Sequence, residues 1–244
     1  MGDIMGFYDE ISKYYDYIFP VQKEQLKFLM DSLGDTKKEV LDVACGSGGY
    51  SIELAKKGYE VTAVDVENEM IDKLKSKAQK EQVDINSYVC DMKNIKSMLP
   101  NKYNLVFCIG NSIVHLKSLD EIKDVLKQMK KLLRENGAVV LQIINYDRII
   151  DLGLTELPKI QNESIGLEFK REYEFLKDKN IVNFKTTLSV NNEVFNNSIE
   201  LLPIKSVEFK ALLKEAGYSS YELYGDFNYS TYDKNSYMLV IKAF

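Results

Sequence analysis

The stretch Asp42-Val43-Ala44-Cys45-Gly46-Ser47-Gly48-Gly49 sets an acid and three glycines directly behind an apolar run, Val40-Leu41. Glycines at such a turn bring backbone N–H groups and a helix N-terminus against a ligand. A second acid, Asp65, closes the next apolar run, Val61-Thr62-Ala63-Val64. A carboxylate there can accept hydrogen bonds from the 2′- and 3′-hydroxyls of a ribose. The dinucleotide fingerprint G-x-G-x-x-G does not fit, because Gly46-x-Gly48 is followed by Ser51 rather than by a third glycine or alanine. Asp42 would also repel a pyrophosphate, whereas it suits a ligand with a positive amine.

Such residues must be positioned by a sheet. Val40–Ala44, Glu60–Asp65, Ser87–Cys90, Tyr103–Gly110 and Ala138–Ile144 read as buried strands. Between them the spacing predicts helices over Tyr50–Lys57, Glu69–Lys80 and Leu119–Leu133, the last ended by Asn136-Gly137. Apolar strands alternating with amphipathic helices indicate a parallel sheet covered on both faces, an α/β fold. Residues 7–33 read as a helix in two pieces, broken near Pro20. The pattern changes after residue 150. Phe169–Leu176, Ile181–Val190 and Val194–Leu202 alternate as strands, separated by turns at Asp178-Lys179-Asn180 and Asn191-Asn192. Helical period returns at Val207–Ala216, and Tyr221–Tyr224 and Tyr237–Ile241 close the chain as strands. The domain reading is therefore residues 1–149 with 204–244, and an antiparallel insertion at 150–203.

Composition narrows the classes. The chain has 244 residues with net charge −5, which disfavours nucleic acid gripped by charge alone. Three cysteines and one histidine argue against a disulfide framework and a Cys/His zinc site, so no metal is expected. Together with the absence of a readable signal peptide or long apolar span, they suggest a reducing, cytoplasmic compartment and no membrane.

The runs Val40–Gly48, Val61–Asp65 and Cys90-Asp91-Met92 together resemble class I S-adenosylmethionine (SAM)-dependent methyltransferases. The resemblance implies a Rossmann-like, seven-stranded, mostly parallel sheet whose last strand is antiparallel, with the insertion as a β lid over the acceptor site. It implies SAM as methyl donor and S-adenosylhomocysteine (SAH) as product. Ala44, Gly46 and Gly48 would line the methionine part with Asp42 near its amine. Asp65 would hold the ribose, Val66 and Met70 would flank the adenine, and Asp91 and Met92 would meet its edge and face. Tyr15 and Tyr17 of the N-terminal segment would fold over the donor, where an aromatic face suits a sulfonium.

A second set, Ile109-Gly110-Asn111-Ser112-Ile113-Val114-His115-Leu116 with Asn145-Tyr146-Asp147 and Gly225-Asp226-Phe227, is similar to glycine N-methyltransferases and related small-molecule N-methyltransferases, including those acting on amino sugars. It places Ile109 and Asn111 beside the sulfonium, and Asn111, His115 and Tyr146 at the transfer site. His115 reads either as a base or hydrogen-bond partner to the acceptor, or as a packed strand-end residue. The partner expected is a small-molecule acceptor, methylated on an amine nitrogen by a monomer or homodimer; RNA or protein acceptors and a non-catalytic SAM-binding module are the alternatives. One position departs from the pattern. Ile144 stands where glycine N-methyltransferases carry an arginine for the glycine carboxylate, and Arg148 and Arg171 are the cations that could replace it.

Overall fold

The computed structural model describes residues 13–33 and 38–244. Tyr8 and the beginning of the predicted first helix lie outside them. The chain opens with a single helical turn, Tyr15–Ile18 (α1), and a longer helix, Lys23–Leu33 (α2), with Pro20 between them as the spacing predicts. There follow Glu39–Val43 (β1), Gly49–Lys56 (α3), Glu60–Asp65 (β2), Asn68–Glu81 (α4), Ile85–Val89 (β3), Ile95–Met98 (α5), Tyr103–Cys108 (β4), Leu119–Leu132 (α6) and Leu133–Ile144 (β5). A short helix, Tyr146–Asp151 (α7), leads to Glu156–Asn162 (β6), Leu167–Leu176 (β7), Ile181–Val190 (β8) and Glu193–Leu201 (β9). Ser206–Glu215 (α8), Tyr221–Tyr224 (β10) and Met238–Ala243 (β11) complete the chain.

Seven strands form one sheet in the order β10-β11-β5-β4-β1-β2-β3. β1 runs parallel to both β2 and β4, while β11 is antiparallel to both β5 and β10. The chain steps from β1 outward to β3, then returns to the other side of β1 as β4. The order therefore reverses between β1 and β4, and the crevice beyond the carboxyl ends of those two strands is where an open α/β sheet binds ligands. The glycine loop follows β1 and the Ile109–His115 segment follows β4, so the topology itself brings both motifs to one crevice.

Alternation along the strands divides the core between the two faces. Leu41, Val43, Val106 and Cys108 pack with Ile122, Val125, Leu126 and Met129 of α6 and with Phe209 and Leu213 of α8. Val40, Leu105, Phe107 and Val140 pack on the opposite face with Phe28, Leu29 and Leu33 of α2. α6 starts at Ser118, whose side chain accepts from the Glu121 N–H at 3.1 Å, and carries acids in its first turn and lysines in its last, as the helix dipole favours.

Two local expectations need correction. Asn136-Gly137 does not end α6; the helix stops at Leu132, and Leu133 already pairs with Tyr103. Asn136 then takes a left-handed φ of 57° at an irregularity in the β4–β5 ladder. A side chain on Gly137 would meet the carbonyls of Tyr103, Asn104 and Arg134 at 3.0–3.1 Å, so the glycine serves a close backbone approach rather than a helix stop. The inserted segment also has four strands rather than three, in the order β6-β7-β8-β9. β6 lacks a clean alternation and contains Pro158, which an outer strand tolerates because one of its sides needs no ladder partner.

Candidate active site

The glycine loop is built from left-handed backbone. Ala44, Gly46 and Gly48 have φ of 60°, 54° and 77°. Just beyond Ala44 the loop is held by two bonds: Cys45 N–H donates to Val64 O and Gly48 N–H to Cys45 O, each at 3.0 Å. Asp65 fixes the loop from β2, accepting from Gly46 N–H at 2.8 Å and from Glu67 N–H at 3.0 Å. A carboxylate offers about four acceptor sites, so these backbone donors leave capacity for a ligand's hydroxyl. Burial raises the Asp65 pKa, and these backbone donors restrain the rise.

Asp42 lies on the same crevice, 3% exposed, and accepts from Ser51 Oγ at 2.7 Å. Burial pushes its carboxyl up to about 7; the Ser51 hydrogen bond opposes the rise and the charge on Asp65 adds to it. A buried acid so poised is stabilised as a carboxylate by an arriving cation.

Two cavities meet here. The first, of about 190 Å³, runs over Gly46, Asp65, Val66, Met70, Asp91 and Met92, with Lys93, Lys117 and Glu121 among the charged groups on its walls. Asp91 caps the turn that carries Met92 by accepting from Lys93 N–H at 2.9 Å. The second, of about 320 Å³, includes Asp42, Ile109, Asn111, Gln142 and Ile144 below, and Arg171, Tyr173, Phe184, Ile199 and Leu201 of the inserted sheet above. Tyr15, Ala44, Ser112 and His115 line both. α1 straps the junction: Asp16 accepts from Ser47 Oγ at 2.5 Å and from Lys77 Nζ at 2.8 Å, and the Phe19 ring meets Phe169 of β7 edge-on at 5.9 Å.

Three of the predicted site residues line neither cavity. Tyr17 is 48% exposed, because Tyr14 and Ile18 occupy the inward side of the single turn. A side chain on Gly48 would collide with Leu74, so this glycine lets α3 begin against α4. Tyr146 is fully buried and its hydroxyl accepts from Asn111 Nδ2 at 3.2 Å. Asn111 spends its other side-chain atom on the Ile144 N–H, at 3.0 Å. Its amide thus braces the ends of β4 and β5, and its backbone stands at a left-handed φ of 68°. Asn145 and Asp147 likewise form a knot. Asn145 Nδ2 reaches the carbonyls of Asp233, Lys234 and Ser236 at 2.8–3.3 Å, and the Tyr232 hydroxyl lies 2.8 Å from Asn145 Oδ1 and 2.7 Å from Asp147 Oδ2.

His115 ends a 3-10 turn, Ile113–His115, at the junction. Burial pulls its imidazole down to about 4, so it is neutral at physiological pH. A group that holds a proton so weakly is a poor general base and serves as a neutral hydrogen-bonding wall. Sequence reasoning did not find Gln142, Tyr173, Phe184 or the charged walls of the first cavity. Gln142 braces the β4 loop by accepting from Gly110 N–H at 2.7 Å, and nothing in a strand's apolar run marks it.

The residues fit SAM. The loop has no side chain at Gly46 to block a ligand, the Asp65 carboxylate at the end of β2 has acceptor capacity that suits a ribose hydroxyl, and an ammonium would stabilise the Asp42 carboxylate. Residues 40–137 match the family model described as a methyltransferase domain. The chain is 28% identical over 207 residues to the glycine/sarcosine N-methyltransferase of Aphanothece halophytica, covering 84% of this chain and 76% of that one. The CcbJ methyltransferase of Streptomyces caelestis has the same fold, with a TM-score of 0.81 at 20% identity over 99% of this chain and 98% of that one. A SAM-bound amino pentose methyltransferase of Micromonospora echinaspora follows, with a TM-score of 0.66 at 15% identity over 98% and 90%. Residues 40–137 are thus a methyltransferase domain, and the reversal of strand order at β1 and β4, the acid–glycine loop in that crevice and these similarities are those of class I SAM-dependent methyltransferases.

Proposed function

We propose that the enzyme methylates an amine nitrogen of a small molecule seated in the second cavity beneath the inserted sheet, which acts as an acceptor lid. The observation that carries this reading is the meeting of the two cavities at Tyr15, Ala44, Ser112 and His115. One cavity has the residues for a nucleoside; the other is roofed by Arg171, Tyr173, Phe184, Ile199 and Leu201 and so is shaped for a compact guest rather than an open polymer.

SAM supplies an electrophilic methyl group on a sulfonium with a good neutral leaving group. The chain's own task is alignment and exclusion of water, which is worth ~7–11 kcal/mol in favourable cases. Asp42 draws the donor's ammonium into the glycine loop, and Asp65 orients the ribose. Asn111 and Gln142 hold the loop after β4 in register with β5. The strap and the lid close the junction from opposite sides. A neutral amine needs no strong base once desolvated, which agrees with the low basicity of His115. The relative named as a glycine/sarcosine N-methyltransferase supports nitrogen as the target.

The test is incubation of the purified protein with methyl-labelled SAM and a small-molecule extract, followed by size fractionation and mass spectrometry. Label in a small molecule on nitrogen is the expected outcome. Label on oxygen, or in RNA or protein alone, would overturn the reading.

A further inference from the structure

The inner face of the lid presents a row of alternating side chains from β7: Leu167, Phe169, Arg171, Tyr173 and Phe175. Arg171 is the one charge in that row. It lines the second cavity beside Tyr173, and across the ladder it faces Thr186 of β8 and Leu157 of β6, neither of which can neutralise it. Its Nη2 donates to Pro158 O at 2.8 Å, but its buried Nε has no hydrogen-bond partner. Tyr173 is 3% exposed, and its buried hydroxyl has no partner either. Buried donors left unpaired are rare and costly, and two adjacent ones on a cavity wall ask for an acceptor from outside the chain.

We infer that the acceptor carries a carboxylate, held by Arg171 and Tyr173 from the lid, with its amine directed to the junction of the two cavities. This rests on the reading of the second cavity as the acceptor site. The guanidinium bears a permanent positive charge and suits a planar carboxylate. Burial keeps the Tyr173 phenol protonated, so its hydroxyl donates. The other candidate cation is engaged elsewhere: Arg148 stacks on the Tyr237 ring at 5.0 Å and lines neither cavity. Ile144, at the end of β5, gives the cavity an apolar floor. Charge recognition in this enzyme therefore comes from the inserted sheet rather than from the end of β5. One guanidinium edge and one hydroxyl match a singly charged carboxylate better than a phosphate dianion.

The test is calorimetry on the SAH-saturated enzyme. The probes are glycine, sarcosine, β-alanine and 4-aminobutyrate, each beside its amide, with phosphoethanolamine as the phosphate-bearing amine. At least one acid should bind at least ~10-fold more tightly than its amide. Arg171→Gln should weaken that acid by ~10-fold or more and Tyr173→Phe by several-fold, with SAH affinity within about twofold of wild type in both. The conserved SAH affinity shows that each variant is folded. Equal binding of acids and amides, binding of none of the acids, tighter binding of phosphoethanolamine, or an acid affinity unmoved in Arg171→Gln would each overturn the inference. Labelled methyl transfer to a neutral amino sugar, undiminished in Arg171→Gln, would sink the clamp and keep the N-methyltransferase reading. Acid binding that depends on Arg171 without transfer to any amine would do the reverse.

Discussion

Tyr15 lies across Gly46 so closely that a Cβ on the glycine would stand 2.8 Å from the phenol oxygen. The strap and the glycine loop are thus fitted to each other, and the left-handed φ of 54° at Gly46 adds a second reason for glycine there. Gly46→Ala should reduce SAH affinity by ~10-fold or more through the backbone and the displaced strap together. Adding Tyr15→Ala should restore part of the loss if the collision contributes. Calorimetry on the two single variants and the double variant measures the coupling.

Asp42 should make donor binding depend on pH. Its carboxyl titrates near 3.8 when unperturbed and at about 7 in the fold. A bound ammonium favours the carboxylate, so SAH affinity should fall as pH drops below about 7, with proton release on binding. Asp42→Asn should bind SAH more weakly and without that pH dependence. Titrations in buffers of different ionisation enthalpy count the proton.

The same shift has a sign in stability. Between pH 3.8 and about 7 the folded state holds a proton on Asp42 that the unfolded chain has lost. Asp42 therefore makes the ligand-free enzyme less stable as pH rises through that window. His115 acts in the opposite direction. Between its ordinary 6.5 and about 4 in the fold, the unfolded chain is the better proton binder, so its contribution is lost as pH falls. Melting curves of wild type should vary little across the shared window, whereas Asp42→Asn should lose stability on acidification from pH 6.5.

His115 should be absent from the pH–rate profile. A neutral imidazole with a pKa of about 4 contributes no limb between pH 6 and 8. His115→Gln should keep SAH affinity within about twofold and leave the shape of the profile unchanged. A limb near pH 6.5 that disappears in this variant would assign the base role to His115.

The Asn145 knot is a matter of stability. Asn145→Ala removes the donor that joins three carbonyls of the 233–236 segment to the end of β5 and should cost about 2–4 kcal/mol in urea denaturation. Tyr232→Phe removes one hydroxyl from the same cluster and should cost about 1–2 kcal/mol.

Much of this was legible from the residues in order. The strands that carry the donor cavity are short apolar runs closed by glycine or acid, so β1, β2 and β4 announce both their existence and their ends. Asp42, Gly46 and Asp65 stand at those ends because the crevice beyond β1 and β4 is fixed by topology. The acceptor side was less legible for a physical reason. Arg171 and Tyr173 belong to an alternating strand in which Lys170 and Arg171 are adjacent, so either row could be the solvated face, and only the pairing of β7 with β8 decides which row turns inward. Tyr146 and Asn145 were placed by motif near the chemistry, yet their hydrogen bonds go to Asn111 and to the 233–236 segment, contacts that span tens of residues and leave no local pattern. That Tyr17 and Gly48 line neither cavity was hidden for a similar reason, since helical phase in one turn and packing against Leu74 are tertiary facts.

The walls of the first cavity come from α1, the large sheet and the segments that follow its strands, and none comes from β6–β9. On the proposed assignment the roof of the acceptor cavity is therefore written on a stretch of chain that takes no part in the nucleoside site. Under that assignment, substitutions on the inner face of the lid would change acceptor preference and leave the lining of the nucleoside site intact.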